Sequence, residues 1–548
     1  RKGNPLERES LRRGEVPGRP AAWMGTMAAH LPVLCLLALC LRARSLAPSP
    51  ALHGALSFDA ENSSRAESRG GSRGAWPPTM DSSGAKPTLT AYCMAPLKGH
   101  EGKSAAAAAE GLRLAQVHVM TRHGARSALF NIEKQTNDHA FTCDIRVENH
   151  EMVRAWPELF RVTCMHPEGC TDPQPLMPKV RGPGSPVCAD GQLLNRGMTQ
   201  MRELGGYIQQ AYSASGILEE LSPESLWIRS TDTDRTQGSA ASFVSGLLKP
   251  NLTAAAQRGK FTILVYPREQ DTIFGVPCQR ADDLSSAASK YMEGYIPNPE
   301  LSHATTYLLG TPEVLGVADD LLQTYCDGGD LPCGPGGCVN KPTAAGIERD
   351  LDTFWCETYG GKHGGLDASR LRYHVLLKEI AGPMRAAAEG RGPGHDARFA
   401  LYSGHDSTVA PLGAALGFFA GKMCIVPPIA SRIVFELWTG ERPSAAPTAP
   451  TNKSAWPFSS WPFQSGPGAA EDAEPAELHK VRVLYNGEVV THLIDGCGGG
   501  ELCPLAAFEA YPDRLLGGHR TLEDACAPAP AAPTTPQPPH PGASRGQR

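Results

Sequence analysis

The sequence has no dominant charge. Its 548 residues carry 52 Lys and Arg against 57 Asp and Glu, a formal net charge of −5. A general nucleic-acid binder presents a clear basic excess, so that class is excluded. No internal repeat of solenoid length is present, which sets aside stacked-repeat architectures. A spanning helix needs ~20 consecutive apolar residues. The strongly apolar run Leu31–Leu41, LPVLCLLALCL, falls short of that and is followed by Arg42 and Arg44. It suits the apolar region of a signal peptide, with a short signal anchor as the alternative. A buried core helix is disfavoured, because low-complexity sequence flanks the run on both sides.

Glycine, proline and cysteine are abundant instead, at 58, 48 and 16 residues. That much Gly and Pro implies long linkers or tails around the folded part. The 41% hydrophobic fraction still provides a core. The expected organisation begins with an upstream segment, 1–26, that is untranslated or disordered, with Met24 and Met27 as plausible starts. A targeting segment follows over 27–44, then a Ser, Gly, Ala and Pro-rich stem over 45–88. One large domain fills 89–527, interrupted by a flexible insertion over 440–477, and a disordered Pro-rich tail closes the chain over 528–548. Cys35 and Cys40 lie in the targeting segment, and the other fourteen lie beyond it. An even number of that size fits disulfides in an oxidising lumen. N-x-S/T sequons at Asn62, Asn251 and Asn452 are glycosylation candidates in that setting.

The ordered part alternates strand and helix signals. LAQVHVMTRHG starts a strand at Leu114, and Leu194, Met198, Met201, Leu204 and Ile208 repeat at helical spacing over 193–212. SLWIRSTD reads as a strand, with a helix expected over Thr236–Leu248. TILVYP, RFALYSGHD and RIVFELW are further strands, and VAPLGAALGFF is a helix. Asn486-Gly487 between two β-prone runs signals a hairpin. Between Pro267 and Arg398 the pattern is helical and Cys-containing. The expected fold class is therefore α/β, a mainly parallel sheet flanked by helices, with a helical, disulfide-containing cap.

Chemistry concentrates where strands end, the edge at which open α/β sheets bind ligands. Arg122-His123-Gly124-Ala125-Arg126 follows the first strand. Two guanidinium forks around a histidine can converge on one tetrahedral anion and remain charged at any relevant pH. A histidine fixed through one nitrogen can attack phosphorus with the other. Ile228-Arg229-Ser230-Thr231-Asp232 ends a second strand, and Arg229 is expected to join the same pocket. Arg235 is expected to pair with Asp232 or Asp234 as structure. Tyr402-Ser403-Gly404-His405-Asp406 ends a third. His405 can donate to phosphate, and Asp406 can protonate a leaving oxygen.

RHGAR, RSTDTDRT and SGHDSTVAPLGAALG, in that order and at strand ends, resemble the histidine acid phosphatases, the second branch of the histidine phosphatase superfamily. The resemblance extends from about residue 113 to Cys526 and includes Cys188-Ala189-Asp190-Gly191-Gln192, RIVFELW, and Cys497 with Cys503-Pro504-Leu505. It implies the histidine phosphatase fold and an acid phosphomonoesterase working through phosphohistidine. His123 is implied as nucleophile, Asp406 as proton donor, and Arg122, Arg126, Arg229 and His405 as phosphate ligands. No cofactor and no metal are implied. Family members typically carry Asp or another residue at Ala125 and often Pro at Ala128. The first departure bears on leaving-group preference and leaves the phosphate pocket intact.

Within the family the chain is most similar to the 2-phosphoxylose phosphatase-like group, Golgi enzymes that dephosphorylate xylose in the glycosaminoglycan–protein linkage region. The hydrophobic segment with its stem, VHVMTRHG and CGPGGCV carry that likeness. A broad-specificity lysosomal or secreted acid phosphatase, or a phytase-like enzyme, shares the catalytic motifs and is the alternative. The expected partner is a phosphorylated glycan or small phosphomonoester, in the secretory pathway, with membrane anchoring through 31–41 open. A non-catalytic phosphate- or glycan-binding relative and a phosphoryl-transfer mutase are the readings from other classes. His395-Asp396 precedes its strand and is not expected to be the catalytic pair. Cys164, His166 and Cys170, or Cys326, Cys333 and Cys338, can be drawn as zinc ligands, but disulfides are favoured in a lumen. Trp456, Phe458, Trp461 and Phe463 form an aromatic cluster within the insertion.

Overall fold

The computed structural model describes residues 89–528 except 131, 142, 144–146, 167–187, 220, 250–253, 255–256, 294–297, 392–395 and 441–477. The targeting segment, the stem, the sequons at Asn62, Asn251 and Asn452, the Trp456–Phe463 cluster, His395 and Cys170 lie outside the described residues. So do all but the first residue of the insertion and all but the first of the tail.

Eleven strands are labelled in chain order: β1 Arg113–Arg122, β2 Phe160–Cys164, β3 Leu226–Ser230, β4 Phe261–Val265, β5 Cys333–Gly334, β6 Gly337–Cys338, β7 Phe399–Gly404, β8 Arg432–Thr439, β9 His479–Tyr485, β10 Glu488–Val489 and β11 Cys503–Pro504. The main sheet runs β10-β9-β8-β1-β7-β3-β4-β2, with β11 beside β9. The segment β1-β7-β3-β4-β2 is parallel throughout. Opposite Val119 stand Leu401 of β7 in parallel and Val434 of β8 in antiparallel register. From β8 to the β10 edge the sheet is antiparallel, so the expected parallel sheet carries an antiparallel wing. The wing closes with the expected hairpin: Asn486 and Gly487 adopt φ of 47° and 91°. Both central residues are left-handed, as a primed two-residue turn requires.

Burial explains the layering. The central strands β7 and β8 are buried along almost their whole length, as strands covered on both faces must be. One face packs Val117 and Val119 against Met201 and Leu204 of α1 Asn195–Tyr212 and Phe243 of α2 Asp234–Leu247. The helix expected from Thr236 therefore starts one half-turn earlier. The other face packs Met120, Tyr402 and Phe435 against Leu376 and Ile380 of α3 Gly365–Glu389 and Leu412 of α4 Asp406–Ala415. Each fully buried Leu or Phe here contributes roughly 1.5–3 kcal/mol. A helix over Val147–Leu159 leads into β2. Both were unanticipated, because Pro157 and a short mixed pattern mask their periodicity.

The helical cap comprises helices over Gln279–Glu293, Pro299–Leu309, Val314–Cys326 and Lys341–Gly360, with the small β5–β6 hairpin. Disulfides pin it: Cys93–Cys326, Cys278–Cys526, Cys356–Cys424 and Cys333–Cys338. Cys143–Cys188 and Cys497–Cys503 complete the described pairs, and Cys164 is disulfide-bonded too. Among the described residues these bonds use Cys164, Cys326, Cys333 and Cys338 of the zinc alternatives. Among the described residues no helix is long and apolar enough to cross a membrane.

Candidate active site

Register alone assembles the site. β1 and β7 are parallel neighbours, with Arg122 opposite Gly404, and His123 N donates to Gly404 O at 3.0 Å. His123 and His405 therefore leave adjacent strand ends together, their rings edge to face at 5.5 Å. β3 lies on the far side of β7, and Thr231 N donates to Ser403 O at 3.2 Å. The loop after His123 runs tight against α1. A Cβ on Gly124 would lie 2.3 Å from Gly197 O, so only glycine fits there.

His123 is buried, and its Nδ1 lies 2.7 Å from Gly124 O. A carbonyl accepts only, so Nδ1 carries the proton and Nε2 keeps its lone pair. Burial first, then Arg235, Arg122, His405 and Arg126, hold the imidazole far below 6.5. A neutral imidazole with one bare nitrogen is the nucleophilic form.

The surrounding cations are each pinned by part of the guanidinium. Arg122 Nη2 contacts Asp406 Oδ2 at 2.9 Å and donates to the Tyr92 hydroxyl at 2.7 Å, while Nη1 donates to Pro427 O. Arg126 grips Asp319 with two nitrogens, at 2.8 and 3.3 Å. Burial opposes both charges, but Asp406 and Tyr92 for Arg122, and Asp319 for Arg126, outweigh it and raise both. Arg235 Nη2 donates to His405 Nδ1 at 3.3 Å. Burial and Arg126 push Arg235 down to about 10. His405 Nε2 lies 2.9 Å from Thr231 Oγ1, and Phe274 stacks on the ring at 5.1 Å. Burial, Arg235 and Arg268 keep this histidine neutral, well below 6.5. The Nε atoms of Arg122, Arg126 and Arg235 are buried without a hydrogen-bond partner. An unmatched buried N–H is costly, so three on cations around one histidine suit an anionic ligand. Asp406 is the first residue of α4, held by Ser407 N donating to Oδ1 at 2.8 Å.

The geometry revises one expectation. Arg229 does not share this pocket's charge. Its Nη2 pairs with Asp271 at 2.5 Å, its Nη1 pairs with Glu379 and donates to Thr272 at 3.0 Å, and it lies 4.7 Å over Tyr266. Two carboxylates neutralise it, its Nε is buried without a partner like those of the pocket arginines, and it is not among the leading influences on either histidine. Arg235 occupies the position foreseen for Arg229. It makes no ion pair with Asp232 or Asp234 among the described residues. The available signal was helical phase: one residue into α2, a side chain lies beside the end of β3. Asp319 and Tyr92, which hold the arginines, carried no sequence signal, because they reach the site from the cap and from upstream of β1. Ala125 and Ala128 are buried, and Ala125 N donates to Gln200 Oε1 at 2.9 Å. A cavity of about 920 Å³ lies elsewhere, bounded by His100, Lys103, Trp438, His492 and Glu501. It contains none of these groups, and we place the chemistry where the unmatched donors converge.

The family described as histidine phosphatase superfamily (branch 2) matches residues 113–290 and 357–486. Human 2-phosphoxylose phosphatase 1 is 24% identical over 459 residues, covering 76% of this chain and 81% of that protein. The Danio rerio protein of the same name is 27% identical over 441 residues, covering 73% and 78%. Bovine prostatic acid phosphatase is 27% identical over 261 residues, covering 45% and 65%. Among solved structures, Hafnia alvei phytase aligns at a TM-score of 0.46 with 13% identity, covering 76% of this chain and 99% of that one.

Proposed function

The chain belongs to branch 2 of the histidine phosphatase superfamily and is a phosphoric monoester hydrolase, and from that premise we propose how its residues divide the work. His123 Nε2 attacks phosphorus, the P–O ester bond breaks, and Asp406 gives its proton to the departing oxygen. Water then attacks the phosphohistidine. Asp406 takes that water's proton, and His123 leaves with its electron pair. Arg122, Arg126, Arg235 and His405 hold the phosphoryl oxygens. Fixed cations of this kind stabilise the transition state with no reorganisation during the step. Arg229 supports the pocket from behind as structure. The observation that carries the reading is the set of three unmatched Nε donors around a neutral His123.

The substrate we infer is xylose 2-O-phosphate in the glycosaminoglycan–protein linkage region. In support, relatives named 2-phosphoxylose phosphatase 1 match more of this chain than the prostatic acid phosphatases do. A Golgi or other lumenal setting follows from the same reading, and the disulfides favour it. The test is hydrolysis of p-nitrophenyl phosphate at acid pH with a chelator present. Wild type turns over, His123→Ala does not, and acid quenching traps a phosphohistidine. Activity surviving in the variant, or loss of wild-type activity to the chelator, overturns the mechanism. An isomerised product in place of free phosphate would identify a mutase.

A further inference from the structure

One cation at the rim of this site has no counter-charge. Arg268 is exposed, in the turn after β4. Its guanidinium lies 4.5 Å from the centroid of the Phe274 ring. Phe274 in turn stacks on His405 at 5.1 Å and an interplanar angle of 20°. The result is a column of guanidinium, phenyl and imidazole that ends at a phosphate-site histidine. Arg122 and Arg126 are each opposed by a carboxylate. Arg268 makes no ion pair and no side-chain hydrogen bond among the described residues. A guanidinium seated face-down on an aromatic ring keeps its N–H groups in plane and directed outward, ready for bidentate contact with an anion. After burial and Arg235, Arg268 is the next influence that lowers His405.

We propose that Arg268 and Phe274 form a subsite for a second anionic group on the substrate, so that the enzyme favours phosphomonoesters bearing a further negative charge beside the ester. This deepens the phosphatase reading and rests on it. Specificity of this kind needs no change in the chemical step: the second anion binds two ring contacts from His405 while the phosphoryl group sits among the arginines.

The test compares wild type, Arg268→Ala and Arg268→Lys in two assays. Calorimetry measures binding of the inert pair benzylphosphonate and 4-carboxybenzylphosphonate, with 4-sulfobenzylphosphonate to separate carboxylate from other anions. Kinetics uses phenyl phosphate and 4-carboxyphenyl phosphate. In Arg268→Ala, Kd for the carboxylated phosphonate and kcat/KM for the carboxylated ester each worsen by about tenfold, the scale of one charge-assisted contact at a wet site. The uncharged partners change much less. Arg268→Lys keeps part of the preference. Phe274→Leu loses it as well, because the platform is gone. Equal effects on charged and uncharged probes overturn the subsite. No turnover by wild type, with the binding preference intact, would instead overturn the phosphatase reading alone.

Discussion

Two groups of buried arginines lie along the same sheet, and they are matched in opposite ways. In the antiparallel wing, Arg432 Nε donates to Glu101 at 2.7 Å, and its other nitrogens donate to Pro96 O and Lys98 O. Arg482 Nε donates to Glu436 at 2.7 Å, Nη1 to Lys103 O and Glu501, and Nη2 to His100 O. Gly102 N, Tyr212 and Trp438 also donate to Glu436. Every guanidinium nitrogen has a partner. In the pocket, Arg122, Arg126 and Arg235 each keep a buried Nε with none. Arg122 is as fully buried as Arg432 and Arg482, so burial alone does not separate the groups. Satisfaction and place together do: a buried charge with all its donors used serves the fold, and one with a donor to spare whose charge acts on His123 is poised for a ligand, whereas Arg229, also with an unmatched Nε, is held by two carboxylates.

The sharpest way to break this contrast is to unbalance the satisfied group. Glu436→Leu leaves Arg482 charged and buried without its main partner, which costs about 3–5 kcal/mol. The urea midpoint falls accordingly, with disulfides kept oxidised, while kcat/KM per folded molecule stays near wild type. A variant as stable as wild type, or one whose specific activity falls, removes the distinction.

The pocket should respond the other way. Removing one oriented donor to a transition-state charge typically costs 10²–10³-fold, so Arg235→Ala loses about that factor in kcat/KM. Its thermal midpoint holds or rises, because a cation pressed among other cations is gone. Arg229→Ala gives the mirror image, losing stability through the exposed demand of Asp271 and Glu379 and sparing the chemistry of the folded fraction. If Arg229→Ala is the more damaging to turnover at unchanged stability, the two arginines have been assigned the wrong way round.

Those two arginines also mark where the sequence stops being legible. Strand ends could be read because alternation in LAQVHVM and the run RFALYSG are local patterns. Their adjacency is what unites His123 with His405 and Asp406. The choice between Arg229 and Arg235 depended instead on where Asp271 and Glu379 fold, 42 and 150 residues from Arg229 in sequence. Charge pairing across such distances leaves no periodicity. Asp319 was hidden for the same reason, since it grips Arg126 from a cap helix 193 residues on. Beyond its closing hairpin the antiparallel wing was equally silent, because a strand's direction is set by its connection, and the link from β8 to β9 runs through the 440–477 insertion.

The smallest effect concerns the two neutral histidines of β1 and its end. His118 is buried within the strand, with Nε2 2.9 Å from Gln116 Oε1 and Nδ1 3.2 Å from the Tyr402 hydroxyl. The amide oxygen can only accept, so Nε2 carries the proton and Nδ1 accepts from tyrosine. Burial lowers its pKa from 6.5 to about 3. Between those values the unfolded chain binds a proton that the folded chain refuses, so stability rises with pH across the window. The contribution is complete above pH 6.5 and is lost as pH falls toward 3. One proton corresponds to about 1.4 kcal/mol per pH unit. His118→Gln should flatten the slope of unfolding free energy between pH 6 and 4 by up to that amount, measured by urea titration, with turnover kept. His123→Gln should flatten it too, since His123 is likewise held neutral, but with turnover lost. Equal slopes in wild type and His118→Gln would show that the strand histidine takes up its proton as readily when folded. The contrast between a histidine whose nitrogens are both engaged and one that keeps a bare Nε2 would then have to rest on activity alone.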